Sequence, residues 1–203
     1  MSNIKLNEKY IPLFEGKTRY YVITGGRGSG KSYGVTLFLN NLTYQKDHKV
    51  LFTRYTMSSA HSSIIPEFVD KIDIMDLGDD FRVTRDEIVN QTTGSGIMFK
   101  GIKTASNQTA ALKSLANVST FVVDEAEELT EEDVFDKIDL SVRTKKVQNR
   151  VILILNPTTK EHWIWKRFFD SRGVEGGFNG VIGDTTYIHT TYKDNKENLP
   201  DSF

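Results

Sequence analysis

Eight residues constrain this chain more than any others: Gly25-Gly26-Arg27-Gly28-Ser29-Gly30-Lys31-Ser32. They fit G-x-x-x-x-G-K-[ST], the spacing of a phosphate-binding loop. The apolar, β-forming run Tyr20-Tyr21-Val22-Ile23-Thr24 precedes them, and Val35, Phe38, Leu39 and Leu42 follow at i, i+3, i+4, i+7, a helical spacing. Strand, glycine-rich loop, helix is the context that the chemistry needs. Glycines let the backbone curl so that successive N–H groups face phosphate oxygens. The helix start adds positive dipole and free N–H groups at the same point. Lys31 can then reach the β- and γ-phosphates, and the Ser32 hydroxyl can ligate Mg²⁺.

A chain of 203 residues defaults to one α/β domain large enough to bury a real core. Its 38% apolar and 26% charged residues are ordinary for a globular protein. No run approaches the ~18 apolar residues of a membrane span, and Met1-Ser2-Asn3-Ile4-Lys5 lacks a secretory apolar core, so no membrane partner is expected. With no cysteine, disulfides, thiolate metal sites and a cysteine nucleophile are excluded. A net charge of −1 gives no global attraction to nucleic acid; a DNA contact would need a local patch or an assembled ring. His48, His61, His162 and His189 show no metal-ligand spacing, so no zinc is expected.

In chain order, residues 1 to 19 form an N-terminal arm with Tyr10-Ile11-Pro12-Leu13-Phe14, placed either beside an adenine or in the core. Lys49-Val50-Leu51-Phe52-Thr53-Arg54 reads as a second strand. A helix follows with Ile65, Phe68, Val69 and Ile72 on its apolar face, capped by Ser62 or Ser63, and Pro66 belongs in its first turn or kinks it. Asp79-Asp80 marks a loop. Ile88-Val89-Asn90 and Ile97-Met98-Phe99-Lys100 flank Thr93-Gly94-Ser95-Gly96, a hairpin signature. Residues 103 to 117 read as a mobile surface loop. Thr120-Phe121-Val122-Val123-Asp124-Glu125 is a buried strand ending in two acids. Thr130-Glu131-Glu132-Asp133 resembles a capping box, with Val134 and Ile138 inward. The basic stretch Arg143 to Arg150 is followed by the buried strand Val151 to Leu155, which Asn156-Pro157 stops. A short aromatic helix spans His162 to Phe169, and a last strand lies near Tyr187-Ile188-His189.

An acid at the C-terminal end of a buried strand points into the ligand crevice of an open parallel sheet. Asp124 there would hold Mg²⁺ through water, as a Walker-B acid does, and Glu125 would orient and deprotonate an attacking water. The alternative is a surface acid pair at a helix start. Asn156, at the end of the next apolar strand, could bond the γ-phosphate or the lytic water, or serve only as a turn-forming Asn before Pro. Arg27 can neutralise phosphate charge in cis or point to solvent.

These segments, in this order, resemble the ATPase domain of the large terminase subunit of tailed bacteriophages. Arg19-Tyr20 through Ser32 looks like its arginine-bearing P-loop, and Leu51-Phe52-Thr53-Arg54 like its strand ending in arginine. Gly94 to Gly101 is similar to its hairpin before a Lys-Ser element, here Lys113-Ser114. Val122-Val123-Asp124-Glu125-Ala126-Glu127-Glu128-Leu129 looks like its acidic motif, and Leu155-Asn156-Pro157 like its coupling motif. Thr190-Thr191-Tyr192-Lys193-Asp194-Asn195 looks like the end of its motor domain, so residues 190–203 would start a linker.

The resemblance implies a P-loop NTPase three-layer α/β sandwich with a mainly parallel sheet, of the additional-strand, catalytic-glutamate type. It implies Mg²⁺-dependent ATP hydrolysis driving double-stranded DNA into a procapsid, in the cytoplasm of an infected bacterial host. The implied partners are a portal and a small terminase subunit, and the implied assembly is a homo-oligomeric ring built from a chain that is a monomer in isolation. Lys113 or Arg143 is the candidate for a residue completing a neighbour's site. Family members continue into a nuclease domain, whereas this chain stops at Phe203. No nuclease activity is expected of it, and it reads as a truncated piece or one half of a split motor. Rivals are another nucleic-acid-directed P-loop ATPase and a nucleotide-dependent scaffold with little turnover. A GTPase should carry N/T-K-x-D, which Asn195-Lys196-Glu197-Asn198 and Thr159-Lys160-Glu161-His162 lack.

Overall fold

The computed structural model describes residues 5–57, 60–102 and 117–199. Nine strands form one sheet: β1 (Tyr20–Gly25), β2 (Lys49–Arg54), β3 (Phe81–Val83), β4 (Glu87–Asn90), β5 (Gly96–Gly101), β6 (Thr120–Val123), β7 (Arg150–Leu155), β8 (Gly180–Ile182) and β9 (Thr185–Thr190). Their order is β3-β4-β5-β2-β6-β7-β1-β9-β8. From β5 through to β9 every pairing is parallel, while the flanking β3, β4 and β8 are antiparallel. β7 lies between the P-loop strand β1 and the acid-bearing strand β6, which is the additional strand that the resemblance implied.

Adjacent residues of each strand point to opposite faces, and both faces are covered. Tyr21 and Ile23 enter one core with Phe52, Phe68 and Phe99; Val22 enters the other with Phe121, Phe135 and Trp163. Helices α1 (Ile11–Glu15), α2 (Lys31–Leu42) and α3 (Ala60–Ile74) contribute Leu13, Phe38 and Phe68 to the first core; α4 (Glu132–Asp139) and α5 (Trp163–Phe168) contribute Phe135 and Ile164 to the second. The three layers follow from near-continuous apolar strands, which must be buried on both sides.

Several local readings change. Ser62 and Ser63 fall inside α3 rather than ahead of it, and Pro66 stands within the helix beyond its first turn, where it removes one i→i−4 bond. Asp79 and Asp80 close a 3₁₀ turn. The residue ahead of α4 is Glu131, with no side-chain bond to the helix, so Thr130 forms no capping box. A real one occurs where Thr191 and Asp194 open the 3₁₀ segment Tyr192–Asn198. Tyr10 is a core residue at 1% exposure, its ring packed on Gly34 so closely that a Cβ there would sit 2.7 Å from the Tyr10 Cγ. The arm therefore wedges under α2, and the core placement holds.

His48, just ahead of β2, is buried, its backbone N–H donating to Ser95 Oγ at 3.0 Å and its ring Nδ1 3.4 Å from Ser119 Oγ. Burial, with the nearby Arg150 cation, pushes its pKa down to about 4. The unfolded chain, with a histidine near 6.5, then binds a proton that the folded chain refuses. The stability is present above pH ~6.5 and is lost as pH falls toward about 4. Urea midpoints should drop between pH 7 and pH 5, and His48→Gln should flatten that slope; an unchanged slope contradicts the assignment.

Candidate active site

Parallel register ends β1, β2, β6, β7 and β9 at one edge of the sheet, with Thr24 beside Leu155 and His189, and Thr53 beside Val123. The loop after each strand therefore opens on the same crevice. There a cleft of about 390 Å³ is lined by the whole of Gly26 to Ser32 and by Arg54, Asp124, Glu125, Glu127 and Asn156.

The loop is built by conformation as much as by composition. Gly28 and Gly30 adopt φ of 73° and 79°, a region that side-chain-bearing residues avoid. A Cβ on Gly25 would stand 2.2 Å from the Thr190 carbonyl oxygen, so the first glycine is needed for close approach. Lys31 Nζ donates to the carbonyls of Gly25 (2.5 Å) and Gly26 (3.0 Å) and to Asn156 Oδ1 (3.2 Å). Burial lowers its pKa, against the pull of Glu127 and Asp124.

Asp124 is 6% exposed. Arg54, from the end of β2, donates to its Oδ2 through Nε at 2.8 Å and Nη2 at 2.7 Å, and Arg54 Nε stands 3.6 Å from Glu125 Oε2. Burial raises the carboxyl pKa of both acids, and Arg54 opposes this in each. Glu125 sits at φ 53°, ψ 45°, a left-handed conformation costing a non-glycine residue about 1–3 kcal/mol. The turn is held by Glu128 N–H donating to the Glu125 carbonyl and by the buried Ala126 and Leu129. It brings Glu125 to the cleft beside Asp124.

Glu127 is a residue that motif reading passes over. Its carboxylate accepts the Asn156 backbone N–H at 3.2 Å and the side-chain Nδ2 at 2.6 Å. With both donors held, Asn156 Oδ1 turns to Lys31. Motif reading likewise gives Arg54 only as a strand end; a buried carboxylate at the next strand's end needs a partner, and that is the signal that points to it. Glu67 of α3 also lines the cleft, its pKa raised by burial and then by Asp124.

Arg27 is exposed at the cleft mouth. Arg143 is exposed too, but at the other edge of the sheet, where Arg19 ahead of β1 donates to the neighbouring Val142 carbonyl. Lys113 lies outside the described residues.

No three histidine, aspartate or glutamate side chains gather as a cation cage among the described residues. Magnesium needs none, since it is held by one or two carboxylates, water and substrate phosphates. The buried Asp124 and the Ser32 hydroxyl at the start of α2 fit that donor set.

The sequence profile of the phage terminase large subunit matches residues 17–203. The chain belongs to the phage terminase large subunit family. It is 27% identical over 207 aligned positions to the PBSX phage terminase large subunit of Bacillus subtilis (strain 168), covering 97% of this chain and 46% of that protein. It is 23% identical to the terminase large subunit of Bacillus phage SPP1, covering 96% and 48%. The chain thus spans about half the length of these curated relatives. The large terminase of a thermophilic bacteriophage superposes with a TM-score of 0.76 at 13% identity, over 98% of this chain and 48% of that one. The large terminase ATPase domain of Thermus phage P74-26 gives 0.70 at 15% identity, over 98% and 90%. The P-loop NTPase fold implied by the resemblance is the fold observed. Among the described residues no helix is long and apolar enough to cross a membrane.

Removing Arg54 strands a nearly buried carboxylate, which costs on the order of 3 kcal/mol. Arg54→Met should lower unfolding free energy by about that much, and adding Asp124→Asn should recover part of it. Strictly additive losses in that cycle would show that the pair is not coupled.

Proposed function

We propose that this chain is the ATP-hydrolysing motor unit of a packaging machine that moves double-stranded viral DNA into a procapsid. The observation that carries the reading is the convergence of Lys31, Ser32, Asp124, Glu125 and Asn156 on one cleft. Structures of the thermophilic-phage large terminase in complex with ADP and with ATP-gamma-S and of the phi29 DNA packaging ATPase support it.

In this reading the N–H groups of Gly28 to Ser32 receive the β-phosphate, and Lys31 leaves its carbonyl acceptors for the β- and γ-phosphate oxygens. Ser32 and Asp124 would hold Mg²⁺, which neutralises phosphate charge when bound. Glu125 takes the proton of the attacking water while an O–Pγ bond forms and the bond from Pγ to the bridging oxygen breaks. Arg27 adds positive charge in cis, and Asn156, anchored by Glu127, reports the state of the γ-phosphate to the rest of the fold.

Arg143 lies at the sheet edge away from its own cleft, so it could act only on a neighbour's. Lys113, on the segment ahead of β6, is the other candidate. The assembly is a homo-oligomeric ring on a portal, fed by a small terminase subunit, formed from chains that are monomers when dilute, in the host cytoplasm.

Turnover of ATP with and without double-stranded DNA tests the reading. Glu125→Gln should keep nucleotide binding and lose about 10²–10⁴-fold in rate; Lys31→Ala should lose binding itself. Equal losses of binding and rate in Glu125→Gln would contradict the base assignment, and negligible wild-type turnover with DNA and partners would favour a scaffold. Mixing inactive Glu125→Gln chains with inactive Arg143→Ala or Lys113→Ala chains should restore partial activity for whichever residue acts in trans. No rescue where the wild-type ring forms removes that residue.

A further inference from the structure

Two carbonyls of the P-loop are held by residues near both ends of the chain. Asn195, in the 3₁₀ segment Tyr192–Asn198, donates through Nδ2 to the Gly28 carbonyl at 2.9 Å. The Tyr10 hydroxyl donates to the next carbonyl, that of Ser29, at 3.3 Å and pairs with Thr190 Oγ1 at 2.8 Å. A trans peptide unit points its C=O and N–H in opposite directions. Anchoring the carbonyls of Gly28 and Ser29 therefore turns the N–H groups of Ser29 and Gly30 to the other side, where a phosphate-binding loop needs them. Asn195 also lines the cleft, and its amide carbon and oxygen lie 3.4 Å from where a Gly30 Cβ would be.

Asn195 is itself fixed. Its Oδ1 accepts from Asn198 Nδ2 at 2.8 Å. Asp194 beside it accepts from the Thr191 N–H at 2.7 Å, pairs with Lys9 at 2.9 Å, and offers its carbonyl to Asn7 Nδ2 at 2.8 Å. The segment is thus a strap lying between the N-terminal arm and the P-loop, touching the loop through one amide.

We propose that Asn195 is a positioning residue for nucleotide binding, and that its bond to Gly28 makes the Tyr192–Asn198 strap respond to occupancy of the loop. The proposal rests on the ATPase reading above. A phosphate that draws on the loop N–H groups reorients the same peptide planes that Asn195 and Tyr10 hold, so binding in the loop changes the strap.

The test uses a fluorescent ATP analogue for affinity and hydrogen exchange of residues 190–198 with and without ATP-gamma-S. Asn195→Ala loses one hydrogen bond, so affinity should weaken about three- to ten-fold, while the melting temperature stays near wild type. Asn195→Asp, which sets a carboxylate against the Gly28 carbonyl, should weaken it further. In wild type, nucleotide should alter exchange in the strap, and Asn195→Ala should abolish that response even when saturated. Lys9→Ala is the control, since it loosens the same strap without touching the loop and should leave affinity within about two-fold. Unchanged affinity in Asn195→Ala, an intact exchange response in it, or an equal loss in Lys9→Ala each overturns the proposal while leaving the ATPase reading in place. A wild-type chain that binds no ATP analogue removes both.

Discussion

Parallel pairing of β2, β6, β7, β1 and β9 is the constraint on which the rest depends, because it ends five strands at one edge. Those ends carry Arg54, Asp124, Asn156, Gly25 and Thr190 in lateral order across the sheet. Each is separated from its neighbour by a strand spacing of ~4.8 Å, so side chains from adjacent ends meet without long loops. Parallel strands require crossovers, and the helices that supply them bury Phe38, Phe68, Phe135 and Ile164 against the two faces. The cores thus fix the edge, and the edge fixes the site.

The cleft is an arrangement of charges that hold one another in place. Arg54 faces Asp124 and Glu125; Glu127 holds Asn156, which faces Lys31. Four carboxylates, Glu67, Asp124, Glu125 and Glu127, share the lining with the cations Arg27, Lys31 and Arg54. A polyphosphate entering such a place meets acids as well as bases, which is why the reading includes a divalent cation. The left-handed Glu125 belongs to the same arrangement. The strand end is buried and the following turn is tied down, so the strain is carried by packing.

Much of this was legible in the sequence, for identifiable reasons. The P-loop, β6 with its two acids and β7 with Asn156 announce themselves because apolar runs end abruptly in polar residues, and the hairpin of β4 and β5 because its turn is spelled in glycine. The core role of Tyr10 was legible only as one of two placements, since an aromatic in an arm reads alike whether it meets a base or Gly34. β3 and β8 are three-residue edge strands with exposed positions, too short for alternation to register. Arg54, Glu127 and Asn195 were missed as site residues because their partners are 70, 29 and 167 positions away in the chain. Only the fold brings them together.

The claim at the centre is that the polyphosphate of ATP sits in the Gly25–Ser32 loop with Glu125 facing its end. A crystal structure with a non-hydrolysable ATP analogue and magnesium tests this directly. The account predicts phosphate oxygens on the N–H groups of Gly28 to Ser32, Lys31 Nζ moved from the Gly25 and Gly26 carbonyls onto them, and the Glu125 carboxylate within one water of the γ-phosphorus. A nucleotide bound elsewhere, or one in the loop with Glu125 turned away and no room for that water, would contradict it.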